Sequence, residues 1–247
     1  MERRFSINRY DDGVPGDSPS RVSHPLMRQT WRDLTFLHWH YDPAVVRPLV
    51  PRELELDLYE GEAWVGLVPF RITGLTHPRL PVMPWLSSFA ETNVRTYVKD
   101  GSGRDGVWFF SLDAARLAAV IGARLAYALP YFWACMTVRS DGAATHYTSR
   151  RRYGRLAESD IRVEAGDAIA EPGELDLFLT ARFRLYARRG DHLLCGAIEH
   201  TPWPLQRATV TELRQTLVQA AGLPEPVGAP LAHFARRVDV LVGPPGP

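Results

Sequence analysis

The chain has little cysteine and almost no lysine. Cys135 and Cys195 are the only cysteines among 247 residues. They form no CxxC pair, so the sequence predicts neither a disulfide framework nor a cysteine metal site. Lys99 is the only lysine, and arginine supplies the other basic side chains. A mechanism that needs an amine, such as Schiff-base formation, must therefore use Lys99 or the chain's amino terminus.

The chain also lacks a strong net charge and a secretory leader pattern. A formal net charge of +1 argues against a basic nucleic-acid binder, and a hydrophobic fraction of 45% excludes global disorder. The charged start MERRFSINRY has no apolar signal-peptide core. The apolar stretch from Leu117 to Met136 contains Arg124 and Pro130, which favours a buried helix followed by a strand over a membrane span. We expect a cytoplasmic protein with no nucleic-acid or membrane partner.

The hydrophobic periodicity is mostly that of β-strands. The predicted strands span residues 29–41, 54–59, 63–73, 92–99, 107–112, 131–139, 145–153, 182–188, 192–199 and 236–242. The predicted helices span residues 44–49, 114–128, 174–180 and 212–220. In the second helix, Leu117, Ile121 and Leu125 share the face that is expected to be buried. Many short strands with a few helices predict a mainly β (α+β) fold, a closed and mostly antiparallel β-barrel.

The composition along the chain indicates one domain. Residues 1–24 are polar and rich in turn formers, and residues 244–247 read PPGP, so both segments are predicted to be flexible. Between them, residues 25–243 contain no linker, repeat or low-complexity tract. This region is predicted to be the single folded domain.

His38 and His40 lie two residues apart on a predicted strand. Residues two apart face the same side of a strand, so both imidazoles could reach one metal ion. A metal-dependent barrel enzyme is one alternative that this pattern leaves open. No further ligand follows at the right phase, and the simpler interpretation has one histidine line a pocket while the other lies near its rim. The sequence predicts no bound metal and no cofactor.

Glu91, Asn93, Arg95 and Tyr97 alternate along one predicted strand. If that face meets water, the strand is an ordinary two-sided one. If it faces the inside of a barrel, the four side chains form an array in which arginine can hold a carboxylate and a partly buried glutamate can exchange protons. Arg71, on the strand predicted at 63–73, could add a second guanidinium.

Several longer segments resemble one family. The segments FLHWHYDPAVVRPLVPRELELDLYEGEAWVGLVPFRI, ETNVRTYV, GVWFFSLDA, GARLAYALPYF, HTPWPLQ and HFARRVDVLV are similar to the uncharacterised YqjF-like domain-of-unknown-function family of the acetoacetate decarboxylase-like superfamily. The likeness runs from about residue 26 to residue 243. It implies a closed barrel with a central cavity, and superfamily members form homo-oligomers.

The resemblance also indicates what chemistry is missing. Acetoacetate decarboxylase forms a Schiff base with a lysine in a Gly-Tyr-Pro-Lys-Lys segment. The corresponding segment here reads Ala-Leu-Pro-Tyr-Phe at 128–132, with Tyr131 in place of that lysine and Phe132 in place of the next. Glu91 falls near the superfamily's pocket glutamate, which favours an inward-facing strand. Decarboxylation through an enamine is therefore not expected.

These observations predict a barrel that binds a small molecule bearing a carboxylate or carbonyl group. Arg95 would orient the anion, Glu91 would exchange protons, and Tyr131, His38 and Asn93 would supply hydrogen bonds. Glu91 and Tyr131 are thus the candidate catalytic residues. A lyase- or hydratase-like enzyme without the lysine, a non-catalytic ligand-binding protein, and a scaffold with a filled interior remain alternatives.

Overall fold

The computed structural model describes Gly16, Ser18 and residues 21–77 and 87–246. The strands are β1 (Met27–Tyr41), β2 (Leu54–Leu56), β3 (Ala63–Thr76), β4 (Phe89–Asp100), β5 (Asp105–Ala114), β6 (Tyr131–Ser140), β7 (Ala144–Arg151), β8 (Glu158–Ala168), β9 (Arg184–Arg189), β10 (His192–His200), β11 (Leu205–Gln215) and β12 (Leu231–Gly246). The helices are α1 (Pro43–Val46), α2 (Leu117–Tyr127), α3 (Glu174–Thr180) and α4 (Leu217–Ala220), and a 3-10 turn (Arg47–Leu49) follows α1.

The strands form one twelve-stranded sheet in the order β10-β9-β5-β6-β7-β8-β11-β12-β1-β3-β4-β2, with further pairings of β10 with β12 and of β4 with β5. The pairings of β5 with β6 and with β9 are parallel, and the other strand pairs are antiparallel. The fold is therefore mainly β with a few helices, as the sequence predicts. Within the described ranges no helix is long and apolar enough to cross a membrane.

Apolar side chains from opposite ends of the chain make the core. Leu37 of β1, Leu67 of β3, Val94 of β4, Ile161 of β8 and Phe234 of β12 belong to one buried cluster. Burial of aliphatic and aromatic side chains of this kind stabilises a chain by roughly 1.5–3 kcal/mol for each fully buried one. The core therefore ties together strands that are far apart in sequence.

Helix α2 is shorter than predicted and is turned the other way. Strand β5 continues through Ala114, so the helix begins only at Leu117. Leu117, Ile121 and Leu125, which the sequence predicts to be buried, are 42%, 50% and 73% exposed. The small side chains of Ala119 and Ala123 face a cavity instead. An apolar stripe predicts a buried face only when nothing else on the helix packs better, and here the small-residue face lies against the strands.

The predicted helix at 212–220 is wrong for most of its length. Strand β11 extends to Gln215 and pairs with β8, a strand that the sequence analysis did not predict. Only residues 217–220 are helical. Val210 and Thr211 are β-branched residues that favour strands. The sequence did not indicate the strand with which they pair, which is β8, where Val163 lies opposite Val210.

The predictions of flexibility at the two ends of the chain have different outcomes. Most of the predicted flexible segment 1–24 lies outside the described residues. At the other end β12 runs through Gly246, and Cys195 of β10 lies opposite Gly246. Residues 244–246 are therefore in a paired strand, because β10 supplies a partner for the end of β12 that local composition does not reveal.

Candidate functional site

A cavity of about 470 Å³ lies among β1, β3, β4, β5 and α2. This volume falls in the range of roughly 300–1,000 Å³ that is usual for small-molecule sites. Most of its lining is apolar and includes Trp31, Phe36, Val68, Phe70, Phe109, Leu112 and Trp203. The polar and charged lining residues include Glu91, Asn93, Arg95, Tyr131, Thr180, Arg182 and His200. The cavity is thus an apolar chamber with a few polar groups.

Strand β4 supplies three of those polar groups. Glu91, Asn93 and Arg95 alternate along the strand and line the cavity, whereas Val94 and Val98 on the other face pack into the core. Apart from Lys99, every residue of the strand is buried. The polar array therefore faces inward rather than water, which is the interpretation that makes it a candidate site.

Glu91 and Tyr131 form a hydrogen-bonded pair in this cavity. The Tyr131 hydroxyl donates to Glu91 Oε2 over 2.9 Å. The sheet brings Tyr131 there, because Leu112 of β5 lies between Asn93 of β4 and Tyr131 of β6. Arg124 of α2 holds this end of β6 by donating from Nε to the Tyr131 carbonyl over 2.7 Å, and a second donation comes from its Nη2.

The Glu91 carboxyl is buried without a cationic partner. Burial raises its pKa from 4.5 to about 8, the Tyr131 hydrogen bond lowers it, and the nearby charge of Asp113 raises it. Among the described residues no arginine, lysine or histidine forms an ion pair with Glu91. Burial, together with Glu91 itself, holds the pKa of Tyr131 well above 10. At neutral pH both groups therefore carry their protons, and Glu91 titrates in the range that suits acid–base catalysis.

The neighbouring Asp113 has its own partner. Arg151 Nε and Nη2 donate to the Asp113 carboxylate over 2.8–3.0 Å, and both side chains are almost fully buried. The Arg151 guanidinium also stacks on the Phe132 ring at 3.9 Å. The Arg151 charge is thus paired with Asp113, and among the described residues no cation forms an ion pair with Glu91.

Arg95 forms the cationic end of the array. Its Nη2 donates to the Leu179 carbonyl over 3.3 Å, and its guanidinium lies 5.3 Å from the Phe36 ring centre and 5.7 Å from that of Tyr97. The buried Nε finds no hydrogen-bond partner in the described structure, nor does Asn93 Oδ1. No ion pair joins Arg95 to a carboxylate of the described residues. Arg95 therefore keeps its capacity to bind an anion.

His38 lies behind Arg95 rather than in the cavity lining. Its Nε2 is 2.6 Å from the Tyr97 hydroxyl, which itself donates to the Leu179 carbonyl over 2.7 Å. Tyr97 must then accept from His38, and burial with the nearby Arg95 charge keeps the pKa of His38 well below 6.5. A Cβ at Gly66 would lie 3.0 Å from His38 Nε2, so glycine makes room for this contact. The structure therefore does not place His38, a predicted substrate-binding residue, among the residues that line the cavity.

Arg71 and His40 do not reach the cavity. Arg71 donates to the Val138 carbonyl over 2.6 Å and lies 3.8 Å from Asp33, on the face of β3 opposite Phe70, so the structure does not bring it to Arg95 as the sequence predicts. The reason is strand phase, since Phe70 and Ile72 line the cavity and Arg71 between them faces the other side of β3. His40 is 68% exposed and lies 3.8 Å from Glu62.

The structure separates the two histidines proposed as metal ligands. His38 is buried and bonded to Tyr97, whereas His40 is at the exposed end of β1. In the part of the chain that the structure describes, no group of three or more His, Cys, Asp or Glu side chains could hold a metal ion. Lys99 is also away from the cavity lining, with its Nζ 2.7 Å from Asp57 Oδ1.

Sequence reasoning missed Arg182, His200 and Trp203 as lining residues. His200 lies between the rings of Phe183 and Trp203, each 4.8 Å away. Arg182 is held by ion pairs to aspartates of β5 and of the segment before β3. His200 and Trp203 lie in the segment HTPWPLQ, which carried the family resemblance without indicating a lining role, and Arg182 lies outside every segment of that resemblance.

Comparison with known proteins gives a family and a fold. Residues 28–239 match the DUF2071 family, an uncharacterized conserved protein. The chain is 42% identical over 221 residues to the uncharacterized protein YqjF of Bacillus subtilis (strain 168), covering 89% of this chain and 91% of that protein.

Two solved structures share the fold at low sequence identity. The enduracididine biosynthesis enzyme MppR complexed with pyruvate superimposes with a TM-score of 0.64 at 12% identity, covering 91% of each chain. Acetoacetate decarboxylase from Legionella pneumophila gives a TM-score of 0.63 at 14% identity, covering 90% of this chain and 86% of that one. The fold is therefore that of the acetoacetate decarboxylase-like proteins.

Proposed function

Because the chain belongs to the YqjF-like DUF2071 family and has an acetoacetate decarboxylase-like fold, we propose that its cavity binds a small molecule bearing a carboxylate or carbonyl group and that Glu91 exchanges a proton with it. The single observation that carries this proposal is a buried glutamate with no cationic partner among the described residues, whose pKa is raised to about 8 inside a ligand-sized cavity. Perturbed carboxyls of this kind are typical of catalytic acids and bases.

The pair can act on a carbon next to a carbonyl. The Tyr131 hydroxyl, which donates to Glu91 in the unliganded chain, donates instead to the carbonyl oxygen of the bound molecule. The ionised Glu91 carboxylate takes a proton from the adjacent carbon and returns it to the same or another position. This enolisation is the proton-transfer step of lyase- or hydratase-like chemistry, in which a group such as water then leaves from, or adds to, the neighbouring carbon. It needs no amine, in agreement with Lys99 being tied to Asp57.

The structural neighbours support the chemical class of the ligand. MppR is complexed with pyruvate, a molecule that carries both a carboxylate and a carbonyl. Arg95, a buried guanidinium with no carboxylate partner in the described structure, is the residue that we assign to the anionic group.

We also propose that the strands close into a barrel around the cavity, as the sequence predicts. The support is the pairing of β4 with β5, which joins strands from distant places in the sheet order, and the second such link between β10 and β12. Closure of this kind leaves few unpaired strand edges and surrounds the ligand with side chains.

The experiment is hydrogen–deuterium exchange of methyl protons in D₂O, followed by NMR with pyruvate and 4-oxopentanoate as probes. We expect the chain to exchange at least one probe faster than buffer does, and Glu91→Gln to slow that exchange roughly 100-fold. The surface variant Glu164→Gln is the matched control and should exchange as the wild type does.

Binding of the same probes is measured in parallel by calorimetry. If the wild type exchanges a probe and Glu91→Gln exchanges it as fast, or if the wild type exchanges neither these probes nor a longer methyl-ketone acid such as 7-oxooctanoate, the proton-transfer role is wrong. Binding without any exchange would favour the non-catalytic ligand-binding alternative.

A further inference from the structure

We infer that the ligand is elongated, with an anionic group at Arg95, a carbonyl or hydroxyl group at Glu91 and Tyr131, and an apolar body between them. The Glu91 end of this inference rests on the proposed function. The Arg95 end and the length do not, because they follow from where β4 places its side chains.

The two polar ends are too far apart for a short keto acid. Arg95 follows Glu91 by four residues on the same face of β4, which separates their Cα atoms by roughly 13 Å at the usual rise of a strand. A four-carbon chain with C–C bonds of about 1.5 Å extends over only roughly 4–5 Å. Such a molecule is much shorter than this separation, so it contacts both ends only if the two side chains extend toward each other.

The side chains do not close this gap. The Arg95 guanidinium donates to the Leu179 carbonyl and lies 5.3 Å from the Phe36 ring centre and 5.7 Å from that of Tyr97, a residue two positions farther from Glu91 along β4. No ion pair joins Arg95 to Glu91, and Arg95 is not among the groups that shift the Glu91 pKa. The charged end and the proton-transfer end are thus electrostatically separate.

The space between the two ends is mostly apolar. Asn93 is the polar residue of β4 midway between them, and it is flanked by Val68 of β3 and Leu112 of β5. Phe70 lies beside Glu91, and Phe109 lies beside Arg95. All five residues line the cavity. A chain of methylene groups or an aromatic ring suits this middle region, because each buried CH₂ group gains about 0.8 kcal/mol.

Helix α2 and the cavity volume agree with a longer ligand. The wall that α2 contributes consists of small residues such as Ala119, Gly122 and Ala123, which leave the chamber wide. A volume of about 470 Å³ is in the range of sites that enclose drug-sized molecules of many non-hydrogen atoms. A three-carbon or four-carbon acid would leave most of it empty.

The experiment uses methyl-ketone acids of increasing length, from acetoacetate and 4-oxopentanoate through 7-oxooctanoate to 9-oxodecanoate. Their carboxylate and carbonyl groups are separated by a growing number of methylene groups. We expect affinity, measured by calorimetry, to rise roughly fourfold per CH₂ group beyond 4-oxopentanoate until the chain spans the two ends. Acetoacetate binding tightest, or no dependence on length, would overturn the inference.

The anionic end is tested with and without a variant. Wild-type protein should bind 7-oxooctanoate about 10- to 100-fold more tightly than the neutral ketone 2-octanone, because a charged hydrogen bond is lost in the latter. Arg95→Gln should remove this preference, whereas Arg71→Gln, which changes the guanidinium on the other face of β3, should retain it. Equal affinity for acid and ketone in the wild type would contradict the inference without any variant.

The same series distinguishes this inference from the proposed function. A length optimum and an Arg95-dependent preference in binding, without methyl-proton exchange for any probe, would leave the elongated ligand intact and remove the role of Glu91. If the chain exchanged acetoacetate as fast as the longer probes and bound all of them equally well, the role of Glu91 would stand and the elongated ligand would be wrong.

Discussion

The Tyr131 hydroxyl lies 2.9 Å from Glu91 Oε2, and this hydrogen bond joins two residues that are 40 positions apart. In the described structure the pair has no cationic partner, and the buried Arg151 forms its ion pair with Asp113 instead. A carboxyl that is buried in this way keeps its proton at neutral pH. This relationship gives the cavity a group that can both donate and accept a proton.

Glu91 should make the folding stability depend on pH. Its pKa is about 8 in the folded chain and 4.5 ordinarily, so the folded state binds the proton more strongly. The Glu91 contribution to the free energy of unfolding is therefore fully present below about pH 4.5 and is lost as pH rises to about 8, by up to about 1.4 kcal/mol per pH unit. Urea denaturation of the wild type and Glu91→Gln between pH 5 and 9 measures this dependence.

In that comparison, the stability of Glu91→Gln relative to the wild type should increase with pH and level off above about pH 8. Glu164→Gln, an exposed change of the same kind, should follow the wild type. Parallel curves for the wild type and Glu91→Gln would show that the Glu91 pKa is not raised.

Tyr131→Phe should raise the pKa of Glu91 further, because the lost hydrogen bond lowers that pKa. In the wild type the methyl-proton exchange rate should rise with pH and level off near pH 8, where Glu91 becomes ionised. In Tyr131→Phe the inflection should move to higher pH, with a lower plateau. Tyr153→Phe, which removes the hydroxyl of a partly exposed tyrosine, should leave the profile unchanged, and an unmoved inflection in Tyr131→Phe would count against the pair.

Gly66→Ala should destabilise the chain by about 1–3 kcal/mol through overpacking. The new Cβ would lie 3.0 Å from His38 Nε2 and 3.5 Å from Arg95 Cγ, so the bond from His38 to Tyr97 has to shift. Gly101→Ala is the matched control, because a Cβ there meets no atom within 4 Å. Equal urea midpoints for the two variants would mean that His38 is not tightly held.

Asp113→Asn should cost about 3–5 kcal/mol of stability, because it leaves the buried Arg151 charge without its partner. The double variant Asp113→Leu with Arg151→Met should recover most of that loss, since it removes both charges. Thermal and urea unfolding of the single and double variants form the test. A single variant as stable as the wild type would show that the ion pair is not desolvated.

The sequence predicted much of the candidate site because strand alternation is local. Glu91, Asn93 and Arg95 share one face of any strand that contains them, and the family resemblance indicated that this face points inward. The same rule did not place Arg71, because an alternating pattern does not say which of two faces of β3 meets the cavity. Nor did it place His38, because His38 contacts Gly66 only when β1 pairs with β3.

The boundaries of β11 and β12 and the orientation of α2 were not predictable from local pattern. Val210 and the residues after Gly243 pair with strands more than 40 positions away, and local composition carries no information about such partners. In α2, the face that carries Leu117, Ile121 and Leu125 and the face that carries Ala119 and Ala123 both fit an amphipathic pattern. Which of them faces inward depends on the shape of the surface that the strands present.

The sequence by itself determined that the chain is mainly β, that Lys99 is its only lysine, and that β4 carries an acid, an amide and a guanidinium on one face. These properties depend on residue type and on period-two alternation, which are local. Only the tertiary structure decided that Tyr131 meets Glu91, that Arg151 neutralises Asp113 instead, and that His38 lies behind Arg95. Burial and partnership, which set the pKa and the charge of each group, arise when distant strands pack together.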